Sequence, residues 1–310
     1  DCKNALAETN GDIDAAIEII RKKGQAVAAK REDREAAEGC VISAVKPGFA
    51  AIVALKCETD FVAKNESFRA LTKAILDAAV EAGAKSLDEV KSLKINGRTV
   101  EENITDEIGK TGEKMELGDY QWIEAPTVSA YKHFNDKLAA IVGFNLEGVD
   151  DQVGREICMQ IASMNPVAIS PADVDPAIIE QEKAVAIEKT KQEQIQKAQE
   201  AALRKAGLNP NHFDSEDHIE SNMSKGWITP EEAEKGRKIM KEAADAKAAN
   251  MPAQMIENIV KGRISKFYKE NCLLEQAYVQ DPKETVAQYL NGVEKGLTVV
   301  AFKRVNLNED

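Results

Sequence analysis

Residues 40–65 read CVISAVKPGFAAIVALKCETDFVAKN, and the class of fold turns on them. Two apolar runs rich in β-branched residues, Cys40–Lys46 and Phe49–Cys57, flank Pro47-Gly48. Proline presets φ and glycine accepts the positive φ that a reversal needs, so the stretch predicts a β-hairpin. Thr59-Asp60 then starts a helix, offering side-chain oxygens to the orphan N–H groups of its first turn. Phe68, Leu71, Ile75 and Ala78 mark the buried face of that helix, and Gly83 ends it. Beyond an Asn96-Gly97 turn, Tyr120–Glu124 reads as a returning strand.

The same order of elements recurs downstream. Thr127–His133 and Leu138–Leu146 form a second strand pair, and a helix follows from Asp150 with Val153, Ile157 and Ile161 at helical spacing. Asn165-Pro166 stops it. Even the second strands match, Ala51-Ile52-Val53-Ala54 against Ala140-Ile141-Val142-Gly143. The recurrence predicts an α+β fold with two duplicated ββα-type subdomains and antiparallel sheets. Residues 39–125 make the first subdomain. Residues 126–168 and 273–305 make the second, with Leu273–Val279 and Leu297–Val305 as strands completing its sheet on either side of a short helix after Thr285.

Outside this core, residues 1–24 read as a partial helical domain. Asn10-Gly11-Asp12 stops one helix and caps the next; Ile13, Ala16, Ile17 and Ile20 recur at helical spacing, and Gly24 closes the helix behind Arg21-Lys22-Lys23. Residues 25–38, charged and alanine-rich, form a linker that is partly helical or extended. Residues 169–272 are polar and helical. One long helix over Ala177–Ala206 is followed by breaks at Asn209-Pro210, Gly226 and Asn250-Met251-Pro252, then by a returning amphipathic helix through Met255, Ile256, Ile259, Ile264 and Phe267. The pattern is a helical hairpin with subsidiary helices.

Composition narrows the function. Of 310 residues, 53 are acidic and 41 basic, a formal charge of −12 that argues against broad phosphate-backbone binding. No stretch approaches the roughly 18 uninterrupted apolar residues of a membrane span, and no secretory leader precedes the first helix. Asp1, in place of an initiator methionine, predicts that further residues precede it. The five cysteines form no CxxC and read as reduced thiols of a cytoplasmic protein. Gly109-Lys110-Thr111 resembles the end of a phosphate-binding loop, but Ile104 stands where that motif needs glycine, so a solvated loop is the reading. His212, Asp214, Glu216, Asp217 and His218 crowd one stretch without cysteine and read as a solvated acidic cluster, not a metal site. His133, at a strand end with no nucleophile pattern beside it, suits a contact role. These features describe an interaction protein without a cofactor rather than an enzyme.

One segment draws attention, Cys57 to Asn65. In one reading Asp60 is a helix cap and Phe61, seven positions before Phe68, shares its buried face. In the other, the strand-to-helix turn presents Phe61 and a carboxylate outward as an anchor for a partner's pocket.

Thr59-Asp60-Phe61-Val62-Ala63-Lys64-Asn65 resembles the signature of the bacterial elongation factor Ts family. So do Asp1-Cys2-Lys3-Asn4-Ala5-Leu6 with Asn10-Gly11-Asp12, the Arg21-Lys22-Lys23-Gly24 ending, Tyr131-Lys132-His133, and Glu257–Phe267 with Gly262-Arg263. The resemblance implies a ubiquitin-associated-like N-terminal helical domain, of which residues 1–24 are a remnant, two α+β subdomains, and a helical hairpin used in homodimerisation. It implies a guanine-nucleotide exchange factor for elongation factor Tu in translation elongation, with no bond chemistry and no cofactor of its own. Asp60 and Phe61 would be the wedge entering Tu near its magnesium and phosphate site, with Thr59 and Val62 beside them and His133 as the second subdomain's contact. No direct nucleic acid or membrane partner is implied. The insertion at 191–250 departs from the family's shorter hairpin; a scaffold or adaptor that keeps the fold without exchange activity is the alternative.

Overall fold

The computed structural model describes residues 2–309. At its start, Asn10 and Gly11 take left-handed φ values of +52° and +88° and separate α1 (Cys2–Glu8) from α2 (Ile13–Arg31). Asp12 caps α2 by accepting from the Ala15 N–H at 3.0 Å. The helix does not stop at Gly24: it continues to Arg31, so much of the expected linker is helical.

The first lobe begins with the Pro47-Gly48 hairpin. Strands β1 (Glu38–Lys46) and β2 (Phe49–Cys57) pair antiparallel, Lys46 facing Phe49, with Gly48 at φ +76°. The single helix expected after Thr59 is two, α3 (Asp60–Ala63) and α4 (Glu66–Ala82), because Asn65 turns its side chain to cap α4 and accepts from the Ser67 N–H at 2.9 Å. Then come α5 (Leu87–Ser92), the small hairpin β3 (Lys94–Ile95) and β4 (Arg98–Thr99), α6 (Val100–Thr111) and β5 (Met115–Glu124). The sheet order is β1-β2-β5. Phe68, Ile75, Leu76 and Ala79 of α4 pack on Ala51, Val53 and Leu55 of β2.

Gly109-Lys110-Thr111 is the last turn of α6, not a loop. There Gly109 explains Gly24: a Cβ on Gly109 would lie 2.8 Å from the Gly24 Cα, so α2 and α6 cross with their backbones in contact. Gly24 is a crossing point, and that is why it fails to act as a stop.

The second lobe opens with β6 (Thr127–Lys132), β7 (Leu138–Phe144) and α7 (Asp151–Met164), which Asn165 ends in a left-handed conformation. Residues Pro171–Glu270 form a separate compact unit. It contains α8 (Pro176–Lys205), α9 (Glu216–Ser224) and α10 (Pro230–Ala249), and α11 (Ala253–Asn271) closes it. Arg263 of α11 pairs with Glu193 of α8 at 2.7 Å. Farther along, Leu203, Leu208, Phe213, Ile219, Ile228 and Ala233 make a core of their own, where Gly236 leaves the space the Phe213 ring fills.

Back in the second lobe, β8 (Ala277–Tyr278), β9 (Asp281–Thr285), α12 (Val286–Val293) and β10 (Val299–Asn306) complete the chain. The expected strand over Leu273–Val279 is instead a 3-10 turn at Leu273–Glu275 followed by β8, which pairs only with β9. A side chain takes the place of a neighbouring strand: buried Gln160 of α7 donates to the Ala277 carbonyl at 3.1 Å and accepts from the Val279 N–H at 2.9 Å. Of the two segments expected to complete the sheet, β10 alone among the described residues joins it, giving the order β10-β7-β6. In each lobe a hairpin is followed by a helix, and a later strand pairs with the hairpin's second strand.

The two sheets meet back to back. Val41, Ala50, Ile52, Ala54 and Ile123 of the first pack with Ala139, Ile141 and Val305 of the second. Among the described residues no helix is long and apolar enough to cross a membrane.

The glycine crossing is testable. Alanine gains about 1 kcal/mol over glycine inside a helix. At Gly24 the added methyl meets atoms at 3.5 and 3.7 Å, ordinary contact distances, so Gly24→Ala should be neutral or stabilising. Gly109→Ala must push two backbones apart and should destabilise by about 1–3 kcal/mol despite the same propensity gain. Denaturant titration of both variants checks the order.

Candidate functional site

The turn from β2 into α3 is built by side chains distant in sequence. The Thr59 N–H donates to Glu113 Oε2 at 3.0 Å and its hydroxyl donates to Glu113 Oε1 at 2.6 Å, while the same hydroxyl accepts from the Val62 N–H at 3.4 Å. Glu58 accepts from the Lys114 N–H at 2.7 Å and from Arg34 at 2.9 Å. That backbone donor, and then the guanidinium, hold its carboxyl below the usual range. Cys57 adds a thiol contact to the Thr59 carbonyl at 3.2 Å. Thr59 is thus consumed by the fold, and its role is to place Asp60 and Phe61.

Those two residues point outward. Phe61 is 84 % exposed, so it does not share the buried face of Phe68; the break at Asn65 cancels the seven-residue spacing. Asp60 hydrogen-bonds Lys64 at 2.7 Å, and this ammonium keeps its carboxyl ionised to lower pH than usual. Val62, expected beside Phe61 at the contact, is half-buried and packs against the first lobe's core. The turn therefore offers an aromatic ring and a charged carboxylate, with Val62 as their footing.

His133 lies at the other candidate position, the β6–β7 turn. It is half-buried, its Nδ1 engages the Tyr131 hydroxyl at 2.8 Å, and its ring lies 4.4 Å from that of Phe134. The two turns are connected through β1: Lys137, just past the β6–β7 turn, bonds Glu38 at 2.8 Å and also contributes to the field that lowers the Asp60 pKa. The structure brings Asp60, Phe61 and His133 onto neighbouring turns.

Other candidates do not assemble. His218 sits 3.6 Å from Asp214 and His212 contacts Trp227, and among the described residues no group of three or more His, Cys, Asp or Glu side chains could hold a metal ion. Burial pushes the Cys40 thiol up to about 11 and the Cys57 thiol to about 12, far from a reactive thiolate at neutral pH.

The protein-family model for elongation factor TS matches residues 58–205 and 196–309. The chain belongs to the elongation factor Ts family. Elongation factor Ts of Parabacteroides distasonis is 55 % identical to it over the whole chain and 94 % of that relative. The protein of the same name from Phocaeicola vulgatus is also 55 % identical with the same coverage. That of Porphyromonas gingivalis is 46 % identical over the whole chain and 93 % of its own length. The Ts family match begins at Glu58, at the head of the turn that carries Asp60 and Phe61.

Sequence reasoning found Thr59 to Phe61 but not Glu113, which no local pattern marks: it follows the α6 cap at Gly112 and acts 54 residues away. Removing it should loosen the turn and little else. Glu113→Ala is expected to speed hydrogen exchange at the Val62 to Lys64 amides while leaving the β2 and β7 amides protected; exchange mass spectrometry resolves the two.

Proposed function

We propose that this chain is the guanine-nucleotide exchange factor for elongation factor Tu, and that Asp60 and Phe61 are the part of it that enters Tu near the magnesium and phosphate site. One observation carries the reading: a phenylalanine 84 % exposed sits at the head of a turn that distant side chains hold firmly. A large ring left in water by a rigid scaffold has apolar area to gain by docking, about 1.5–3 kcal/mol when fully buried.

The mechanism needs no bond chemistry. The wedge fits a Tu conformation in which helices near the nucleotide are displaced, so it binds nucleotide-poor Tu more tightly than Tu carrying GDP and Mg²⁺. Linkage then requires that it weaken nucleotide binding by the same factor. Phe61 supplies the apolar burial, Asp60 an oriented charge, and Thr59 the fixed base of the turn. His133 is the contact from the second lobe. GDP leaves sooner, and GTP taken from solution later displaces the factor. The −12 charge supports a partner that is protein rather than a phosphate backbone.

A second reading, an adaptor that keeps the fold without exchange activity, draws on the separate core within 203–233 and on Trp227, which is 61 % exposed with Lys225 over its ring at 4.9 Å. Deleting residues 191–250 separates the two: an exchange factor retains most of its catalysed GDP release, an adaptor loses its main binding partner in a pull-down.

Phe61→Ala should cut the catalysed rate of GDP release from Tu by about 10- to 100-fold, the kinetic equivalent of the lost burial. Asp60→Ala should slow it less. Neither side chain supports the core, so the melting temperature should hold. Stopped-flow release of fluorescent GDP measures the effect, and rates equal to those of the unsubstituted chain would sink the wedge assignment.

A further inference from the structure

Phe134 is the most exposed large apolar side chain among the described residues, at 88 %. The exchange reading makes no use of it. It occupies the five-residue connection between β6 and β7, and that connection is well held. The His133 N–H donates to the Leu138 carbonyl at 2.8 Å, and the Asp136 N–H donates to the His133 carbonyl at 3.0 Å. Asp136 stands at φ +53°, a left-handed conformation that costs a non-glycine residue energy and persists only where surrounding contacts enforce it.

Those contacts come largely from the other lobe. The Val41 N–H of β1 donates to the Asp136 carbonyl at 2.7 Å. Arg69 of α4 and Lys132 of β6 both pair with the Asp136 carboxylate, which is almost wholly buried. Lys137 then bonds Glu38 of β1 at 2.8 Å. The turn that carries Phe134 is clamped to β1 and α4, the same lobe that carries α3 and Phe61. His133 backs the ring at a centroid distance of 4.4 Å. A strained, cross-braced turn that presents a bare phenyl ring to water has its purpose outside the chain.

We propose that Phe134 is a second apolar anchor, which enters a separate apolar pocket on the same GTP-binding partner, so that the partner is held at two points of one rigid frame. The inference rests on the exchange reading. Two anchors fixed on one body reinforce each other, because once one is seated the other is already near its pocket. Phe134 contributes grip, and its loss raises the concentration of factor needed rather than lowering the rate at saturation.

The test titrates the full chain, Phe134→Ala, Phe134→Leu and Phe61→Ala into Tu loaded with fluorescent GDP. Phe134→Ala should raise the half-saturating concentration about tenfold or more, as for a residue that dominates an interface, with unchanged circular dichroism and melting. Phe134→Leu should recover most of the loss. A Phe134→Ala titration superimposable on that of the unsubstituted chain overturns the proposal, as does a lower maximal rate at unchanged half-saturation. If the unsubstituted chain itself leaves GDP release unaccelerated, the exchange reading falls and takes this proposal with it; a fast unsubstituted chain and a slow Phe61→Ala variant keep that outcome distinct.

Discussion

Small side chains at one interface set the geometry of the whole core. β2 and β7 are buried on both faces: Ala51, Val53 and Leu55 face α4, while Ala50, Ile52 and Ala54 face the other sheet, where Ala139 and Ile141 answer them. With alanine on both sides the sheets approach closely, and the isoleucines fill what remains. Interiors pack like organic crystals, so such an interface has little room to slide. The lobes consequently act as one frame. Any contact that a turn of one lobe makes is held in fixed relation to turns of the other.

Carboxylates then transfer that fixity to the surface. Glu113 holds Thr59, Glu58 holds Lys114 and Arg34, and the Asp136 carboxylate ties α4 to the β6–β7 turn. In each case an ionised oxygen receives a backbone N–H or a guanidinium, bonds about twice as strong as neutral ones. A backbone carbonyl could accept only where the chain happens to pass. A glutamate can reach across several ångströms, which suits a turn that must be positioned without being buried. The same device recurs away from the turns: Glu156 accepts from Tyr278 at 2.6 Å and Tyr289 at 2.7 Å, two rings stacked 4.0 Å apart.

Much of this fold was legible because its punctuation is local. Pro47-Gly48, Asn96-Gly97, Asp12 and Asn165 each act through their own φ or their own side chain, and each does in the structure what its residue type predicts. The failures share a cause in long-range contacts. Gly24 signals a helix end only if nothing packs there, and Gly109 does. Leu273–Val279 has strand composition, but the side chain of Gln160 supplies the hydrogen bonds a neighbouring strand would have made. At the candidate site the segment was readable while its orientation was not. Spacing alone made Phe61 equivalent to Phe68, and the competing cap at Asn65 decided otherwise. Glu113 and Asp136 were silent because their partners lie 54 and 67 residues away.

Rigidity matters for an exchange reading for a thermodynamic reason. A ligand shifts a conformational equilibrium only by its differential affinity for the two states. If the wedge had to order itself on docking, the entropy lost would count equally against both states of the partner and would lower affinity for each. A flexible Phe61 could also follow a helix that failed to move, softening the very discrimination on which exchange depends. Held by Glu113 at its base and by the paired sheets behind it, the turn has the fixed shape that the exchange reading requires. On the exchange reading, the closely packed alanines of β2 and β7 are as much a part of the mechanism as the exposed ring they support.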